Sequence, residues 1–258
     1  MGRELLKKRI IPVQLLLDER LVKTRQFGSY RDVGDPVASS KVYNAQNADE
    51  LVFLNINRTT RDIEPLLSVL DRVSAVSFMP LALGGGIATF EAARRLIRSG
   101  ADKIVLNSAV YRDPDLISRV ADSFGSQAVV VGMDVRLNAA SSEYVLHSDC
   151  GRLAESIGLG EHLERVTEAG AGEILINSID RDGTMTGYDI PLLRLVSSSV
   201  RVPVIGCGGA GNYNHLKEAF IETGVTALAC GSLFNFTDSN PIRAKAFLTN
   251  YGLAFKSV

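Results

Sequence analysis

The sequence predicts one α/β domain over residues 1–258, folded as a (β/α)8 TIM barrel built from two duplicated half-barrels, about 1–124 and 125–258. Three observations lead there. Short apolar runs alternate with helical-period segments along the whole chain. The 258 residues match the length such a barrel needs. Three blocks of the first half also recur in the second, in the same order and at nearly one offset.

The strand candidates are residues 10–16, 51–56, 80–83, 103–107, 128–134, 173–177, 203–207 and 226–230. Runs such as "LVFLNI" and "AVVVGMD" are apolar on both faces, as in parallel strands covered by helices outside and packed inside. Between them lie amphipathic stretches, among them "PVASSKVYNAQ", "TFEAARRLIRSG" and "HLKEAFIETG". Two doubly wound domains would use the same alphabet, but no linker separates the halves.

Composition narrows the class. Hydrophobic residues make up 46% and charged residues 22%, and the net charge is −1. That balance gives no electrostatic reason to expect nucleic acid or an anionic membrane as partner. Cys150, Cys207 and Cys230 show no C-x-x-C spacing, so neither a disulfide framework nor a metal site is expected. The N-terminal basic residues precede an apolar run that contains Pro12 and Gln14 and lacks a small-residue cleavage site. With no run of membrane-spanning length, a cytoplasmic protein is expected.

The repeat carries a functional inference. "ADELVFLNI" from Ala48 matches "AGEILINSI" from Ala171, an offset of 123. "LGGGI" from Leu83 matches "CGGAG" from Cys207, and "ADKIVLNSAV" from Ala101 matches "VTALACGSLF" from Val225, both at 124. Glycines at strand ends let backbone N–H groups approach an anion, and the following helix N-termini add favourable dipole charge. A barrel with such a turn in each half should hold two phosphates across its mouth. Tight βα turns without a ligand are the alternative for either turn alone.

The motifs "KRIIP", "GDPV", "DELVFLNI", "GGGI", "GADKIVLNSA", "FGSQAVVVGMD", "GAGEILINSIDRDGTMTGYD" and "PVIGCGGAGN" together resemble the cyclase subunit family of imidazole glycerol phosphate synthase, from about Lys8 to Gly252. The resemblance implies a duplicated barrel, a bisphosphorylated substrate across its top, and no cofactor. It also implies a glutaminase subunit docked on the N-terminal face, feeding ammonia through the barrel. The implied phosphate-binding set is Gly85, Gly86, Asn107, Ser108, Asp182, Gly183, Gly209, Gly231 and Ser232, with Lys23 on a flexible loop closing the site. Arg9, Glu50, Lys103 and Glu173 fall on the ring that gates ammonia entry.

One position breaks the pattern. The family uses two catalytic aspartates, and the second falls on Asp134. The first falls on Leu15 in "IPVQLLLDERLVK", with Lys23 in register without a gap. Leucine neither gives nor removes a proton, which leaves open whether ring closure occurs on this chain. Asp18 is a poor substitute, three residues after Leu15 in the turn beyond the strand end. Asn55, Asn177 and Cys207 are smaller departures, and Cys207 and Cys230 are expected to face one another from adjacent strands.

These departures favour a diverged paralogue: an ammonia-conducting barrel of a glutamine-dependent amidotransferase, working with a glutaminase and a separate sugar amidotransferase in lipopolysaccharide or O-antigen biosynthesis. The alternatives are a true cyclase subunit of histidine biosynthesis, and a non-catalytic scaffold that activates a glutaminase.

Overall fold

A computed structural model describes residues 7–60 and 62–256. The first six residues, which include part of the basic N-terminal stretch, and the last two lie outside the described residues, although the expected domain spans them. The elements run in the predicted alternation. β1 (Arg9–Leu17) leads into a hairpin of β2 (Arg20–Thr24) and β3 (Tyr30–Gly34), then α1 (Pro36–Ala45), β4 (Leu51–Asn55) and α2 (Glu64–Ser74). Next come β5 (Leu81–Gly84), α3 (Phe90–Arg98), β6 (Lys103–Leu106) and α4 (Asp115–Phe124). β7 (Val129–Asn138) opens the second half and leads into a hairpin of β8 (Glu143–Ser148) and β9 (Leu153–Gly158). The chain finishes with α5 (Leu159–Glu168), β10 (Glu173–Ser178), α6 (Ile190–Ser199), β11 (Val204–Cys207), α7 (Tyr213–Glu222), β12 (Ala227–Cys230), α8 (Ser232–Phe236) and α9 (Pro241–Thr249).

Eight parallel strands close on themselves in the order β1–β4–β5–β6–β7–β10–β11–β12, with β12 pairing back to β1. All eight predicted strands are present, within about two residues at most ends except the C-terminal end of β7. The two hairpins were not predicted. The outer strands β3 and β9 are short and carry no buried residue, and the inner strands β2 and β8 are too short and mixed in polarity to show the apolar runs that mark the barrel. Both β2 and β8 pair antiparallel with the upper part of a barrel strand, β1 and β7 respectively.

Two apolar layers hold the fold. The inner one fills the barrel with Ile11, Val13, Val52, Val105, Leu175 and Ile205, among others. The outer one packs strand residues such as Ile10, Leu16 and Phe53 against the helices. Alternation along β1 sends Arg9, Ile11, Val13 and Leu15 to one side of the strand and Ile10 and Leu16 to the other. Helix starts are fixed locally. Asp35 accepts from the Val37 and Ala38 amides at 3.0 and 2.9 Å, with Pro36 following it in the first turn of α1. Thr89, Asn212 and Asn240 cap α3, α7 and α9 in the same way, each cap contributing about 1 kcal/mol. Among the described residues, no helix is long and apolar enough to cross a membrane.

Candidate active site

The bottom of the barrel is closed by charge. Arg9 donates through Nη1 to Glu50 Oε2 at 2.9 Å and through Nη2 to Glu173. Lys103 Nζ donates to Glu50 and to Glu173, both at 2.7 Å. Two cations and two carboxylates thus neutralise one another, and the structure brings together all four residues that the resemblance grouped. Burial opposes the Glu173 charge, but Arg9 and Lys103 outweigh it and hold the carboxyl below its ordinary range. Burial likewise opposes the Arg9 charge and is outweighed by Glu173 and Glu50.

Six residues up β1 from Arg9, a climb of about 20 Å, Leu15 reaches the opposite end of the barrel. There a cavity of about 1490 Å³ opens at the C-terminal ends of the strands. Asp134 lines it from the top of β7. Its carboxylate accepts from Asn107 Nδ2 at 2.7 Å and from Asn177 Nδ2 at 3.1 Å. Burial pushes the carboxyl up to about 7 despite these two bonds, and the Asp182 charge adds to the rise. Both asparagines keep a buried Oδ1 with no partner. Unpaired polar atoms in such a site are costly, and a polar ligand would satisfy them.

On the other side of the mouth, Leu15 lines the same cavity beside Leu54 of β4. Asp18 does not replace the missing acid. It sits in an exposed left-handed turn at φ 50° and accepts from Asn57 Nδ2 at 2.7 Å, at the lip of the cavity.

The two glycine turns have matching backbones. Gly85 and Gly86 follow β5 at φ 91° and 76°, and Gly208 and Gly209 follow β11 at 93° and 106°. A Cβ on Gly85 would lie 2.0 Å from the Asn55 carbonyl oxygen, and one on Gly209 2.0 Å from the Gly187 oxygen, so neither site admits a side chain. One strand further on, Asn107 (φ −136°, ψ −92°) and Gly231 (φ −108°, ψ −85°) each turn the chain into a helical turn that starts at Ser108 or Ser232. In the strand circuit, β5–β6 and β11–β12 lie half a turn apart, so these turns face one another across the cavity. Ser108 Oγ accepts from the Asp149 amide at 3.0 Å.

Lys23 was expected on a flexible loop. It lies instead within β2, nearly fully buried, because pairing with β1 draws it inward. Its Nζ donates to the Val13 carbonyl. The hairpin is latched across the mouth: Thr24 Oγ1 donates to Asp182 at 2.8 Å and the Gln26 amide to the Asp182 carbonyl at 2.9 Å. A Cβ on Gly183 would meet the Thr24 oxygen at 2.2 Å, so the close crossing depends on that glycine.

Cys207 and Cys230 do not face each other as expected. Cys207 packs against the inner layer, while Cys230 belongs to the outer layer and lies 3.5 Å from the Tyr188 hydroxyl. Burial raises both thiols, Cys230 to about 12, which removes thiolate character near neutral pH. Sequence reasoning also missed the lip formed by Asn57, Arg58 and Asp149. Arg58 and Asp149 pair at 2.6 Å across the mouth, and their loops carry no motif beyond turn-forming residues. Among the described residues, no group of three or more His, Cys, Asp or Glu is placed to share a metal ion.

Residues 9–240 match the family described as "Histidine biosynthesis protein". A protein named imidazole glycerol phosphate synthase subunit HisF from Chlorobaculum parvum is 43% identical over 252 residues, covering 98% of this chain and all of the relative. The same-named protein of Caulobacter vibrioides is 43% identical over 249 residues, 96% of each chain. That of Hyphomonas neptunium is 42% identical over 254 residues, 98% of this chain and all of the relative. These relatives correct the favoured expectation from sequence. An ammonia-delivering barrel for sugar amidation in lipopolysaccharide or O-antigen biosynthesis is overturned, because end-to-end similarity leads to HisF subunits. The departure at Leu15 was given too much weight against the rest of the chain.

Proposed function

The chain belongs to the histidine biosynthesis protein family, and from that premise we propose that it is the ring-closing subunit of an imidazole glycerol phosphate synthase. Its one domain, residues 1–258, is read as duplicated halves of about 1–124 and 125–258. A bisphosphorylated substrate spans the mouth, with one phosphate on Gly85, Gly86, Asn107 and Ser108. The other rests on Gly183, Gly209, Gly231 and Ser232, and Lys23 and Asp182 close the site. Asp134 removes a proton from the nitrogen entering the ring. A carboxyl near pH 7 suits that task, because it takes a proton readily and releases it again. A glutaminase subunit docks on the N-terminal face, and ammonia enters past Arg9, Glu50, Lys103 and Glu173.

The observation that carries this reading is the pair of like-shaped turns facing each other across one cavity, with Asp134 on the rim between them. Strand-end glycines and short helical turns suit phosphate, whose charge is met by backbone N–H groups at no desolvation cost to a buried lysine. The test is the purified chain incubated with the bisphosphorylated substrate and an ammonium salt, with the imidazole product followed by mass spectrometry. Turnover that rises with free ammonia is expected. Substrate binding without product would overturn the reading in favour of a scaffold that activates its glutaminase.

A further inference from the structure

The cyclase reading leaves one chemical question open, namely what gives a proton on the Leu15 side of the mouth. Lys23 stands there. It is 6% exposed and lines the mouth cavity. Antiparallel pairing sets Val22 opposite Leu15 and turns Lys23 over the top of β1, where its Nζ donates to the carbonyl of Val13. Val13 is two residues below Leu15 in the inner layer, so the ammonium is anchored to the strand whose acid is missing. The same Nζ lies 3.2 Å from where a Cβ on Gly231 would be, at the rim of the second cradle. The Thr24–Asp182 and Gln26–Asp182 bonds hold the hairpin down, so Lys23 is fixed in place rather than swinging over the mouth.

We propose that Lys23 is the proton donor of ring closure in this chain, taking over from the carboxylate that Leu15 displaces, with Asp134 as the proton acceptor. The inference rests on the cyclase reading above. The ammonia nitrogen first adds to a substrate carbonyl carbon, the C=O π pair going to oxygen and one proton passing from nitrogen to that oxygen. This gives an aminoalcohol whose hydroxyl must then leave as water. The nitrogen lone pair forms the C=N bond while the C–O bond breaks, its electron pair going to oxygen. The Nζ–H bond of Lys23 supplies the proton that oxygen needs, leaving a neutral amine. Asp134 takes a proton from the nitrogen and becomes a neutral acid. Solvent then returns one proton to Lys23 and removes one from Asp134, so the cycle closes without net change.

The electrostatics fit. Burial lowers the Lys23 ammonium to about 8, against the pull of the Asp182 carboxylate. Asp134 sits near 7, with Asn177, Asn107 and Asp182 around it. A donor and an acceptor one pH unit apart are matched for proton transfer near neutrality. Asp182 acts on both groups and couples the latched hairpin to the site.

A lysine that only neutralised a substrate phosphate would be replaceable by arginine, which keeps the charge but gives up no proton near neutral pH. The test measures kcat and KM for ring closure at constant free ammonia across pH. In the unmodified chain, kcat should rise through about pH 7 and fall through about pH 8. Lys23→Arg should lower kcat by about 100-fold or more with KM within threefold. Leu15→Asp in the Lys23→Arg background should recover at least tenfold in kcat and move the alkaline limb. An arginine variant with kcat within threefold of the parent, or a double variant without recovery, overturns the proposal and leaves the cyclase reading standing. If Lys23→Arg does not fold, the unmodified chain still decides, since an alkaline limb absent below pH 9 overturns it too. No turnover by the unmodified chain sinks both readings, which separates the two failures.

Discussion

The two halves of the barrel share the shape of their strand-end turns and differ in the inward side chains beside them. In the first half, Arg9, Glu50 and Lys103 point into the bottom, and the top of β1 ends on Leu15 beside Leu54. Of that four-charge ring the second half supplies Glu173, and it carries Asp134 and Asp182 at the top. Their strand-end turns nonetheless superpose in dihedral angle, Gly85–Gly86 on Gly208–Gly209 and Asn107 on Gly231. The proposed bisphosphorylated substrate has similar ends, so it asks for one backbone shape in both halves. Inward side chains answer to different tasks and have diverged, because one inward position exchanges without disturbing the pleat.

The comparison is broken most severely at Asp134. Asp134→Asn should lower ring closure by about 10²- to 10⁴-fold, the range a positioned acid–base group supplies. The fold should survive, since Asn107 or Asn177 can turn its amide and offer the Oδ1 that now lacks a partner. Steady-state kinetics with ammonium salt, beside a thermal melt, checks both halves of this prediction. A loss below tenfold would mean that the polar side of the mouth is not where the proton is removed.

At the bottom, the second half's single charge carries a disproportionate load. Glu173→Ala leaves Arg9 and Lys103 sharing Glu50 alone. Breaking so buried a set should cost about 3–5 kcal/mol at pH 7, read from urea denaturation. The sign with pH follows from the depressed Glu173 carboxyl. Its contribution is full above the ordinary glutamate value and is lost as pH falls through the depressed one, so parent and variant should converge in acid. Equal stability at neutral pH would show that the ring is ornamental.

Much of this was legible in the residues. The eight strands could be read because runs buried on both faces have few polar positions, and the glycine turns because an offset of 124 repeated them. Asp134 and the four-charge ring were reachable through the motifs around them. The β2–β3 and β8–β9 hairpins were not, since short antiparallel strands such as these mix polar and apolar residues without a clean period. Lys23 shows the deeper limit: it was expected on a flexible loop and lies buried in β2, because Val22 pairs with Leu15, a contact between strands. The lipopolysaccharide expectation fails for a related reason. End-to-end similarity to the relatives outweighs one vacated position, and what packs beside Leu15 depends on strand pairing that the linear order does not display.

The gentlest test moves the asymmetry instead of removing it. Asp134 is held near 7 by burial, well above an ordinary aspartate. Below about pH 4 the folded and unfolded chains both hold its proton, so it has no effect on stability. Between about 4 and 7 the folded chain keeps a proton that the unfolded chain has lost, so stability falls as pH rises, by at most about 1.4 kcal/mol per pH unit. Above 7 both states are ionised and the slope vanishes. Leu15→Asp combined with Lys23→Met adds a second buried carboxyl on the apolar side with no ammonium beside it, where Leu54 donates nothing, whereas Asp134 has Asn107 and Asn177. Desolvation without those bonds should raise the new group at least as far, steepening the decline between pH 5 and 7 toward twice the parent slope. Urea midpoints taken at half-unit steps of pH would show it. An unchanged slope would mean that the new aspartate is solvated, and that the two sides of the mouth differ in shape as well as in charge.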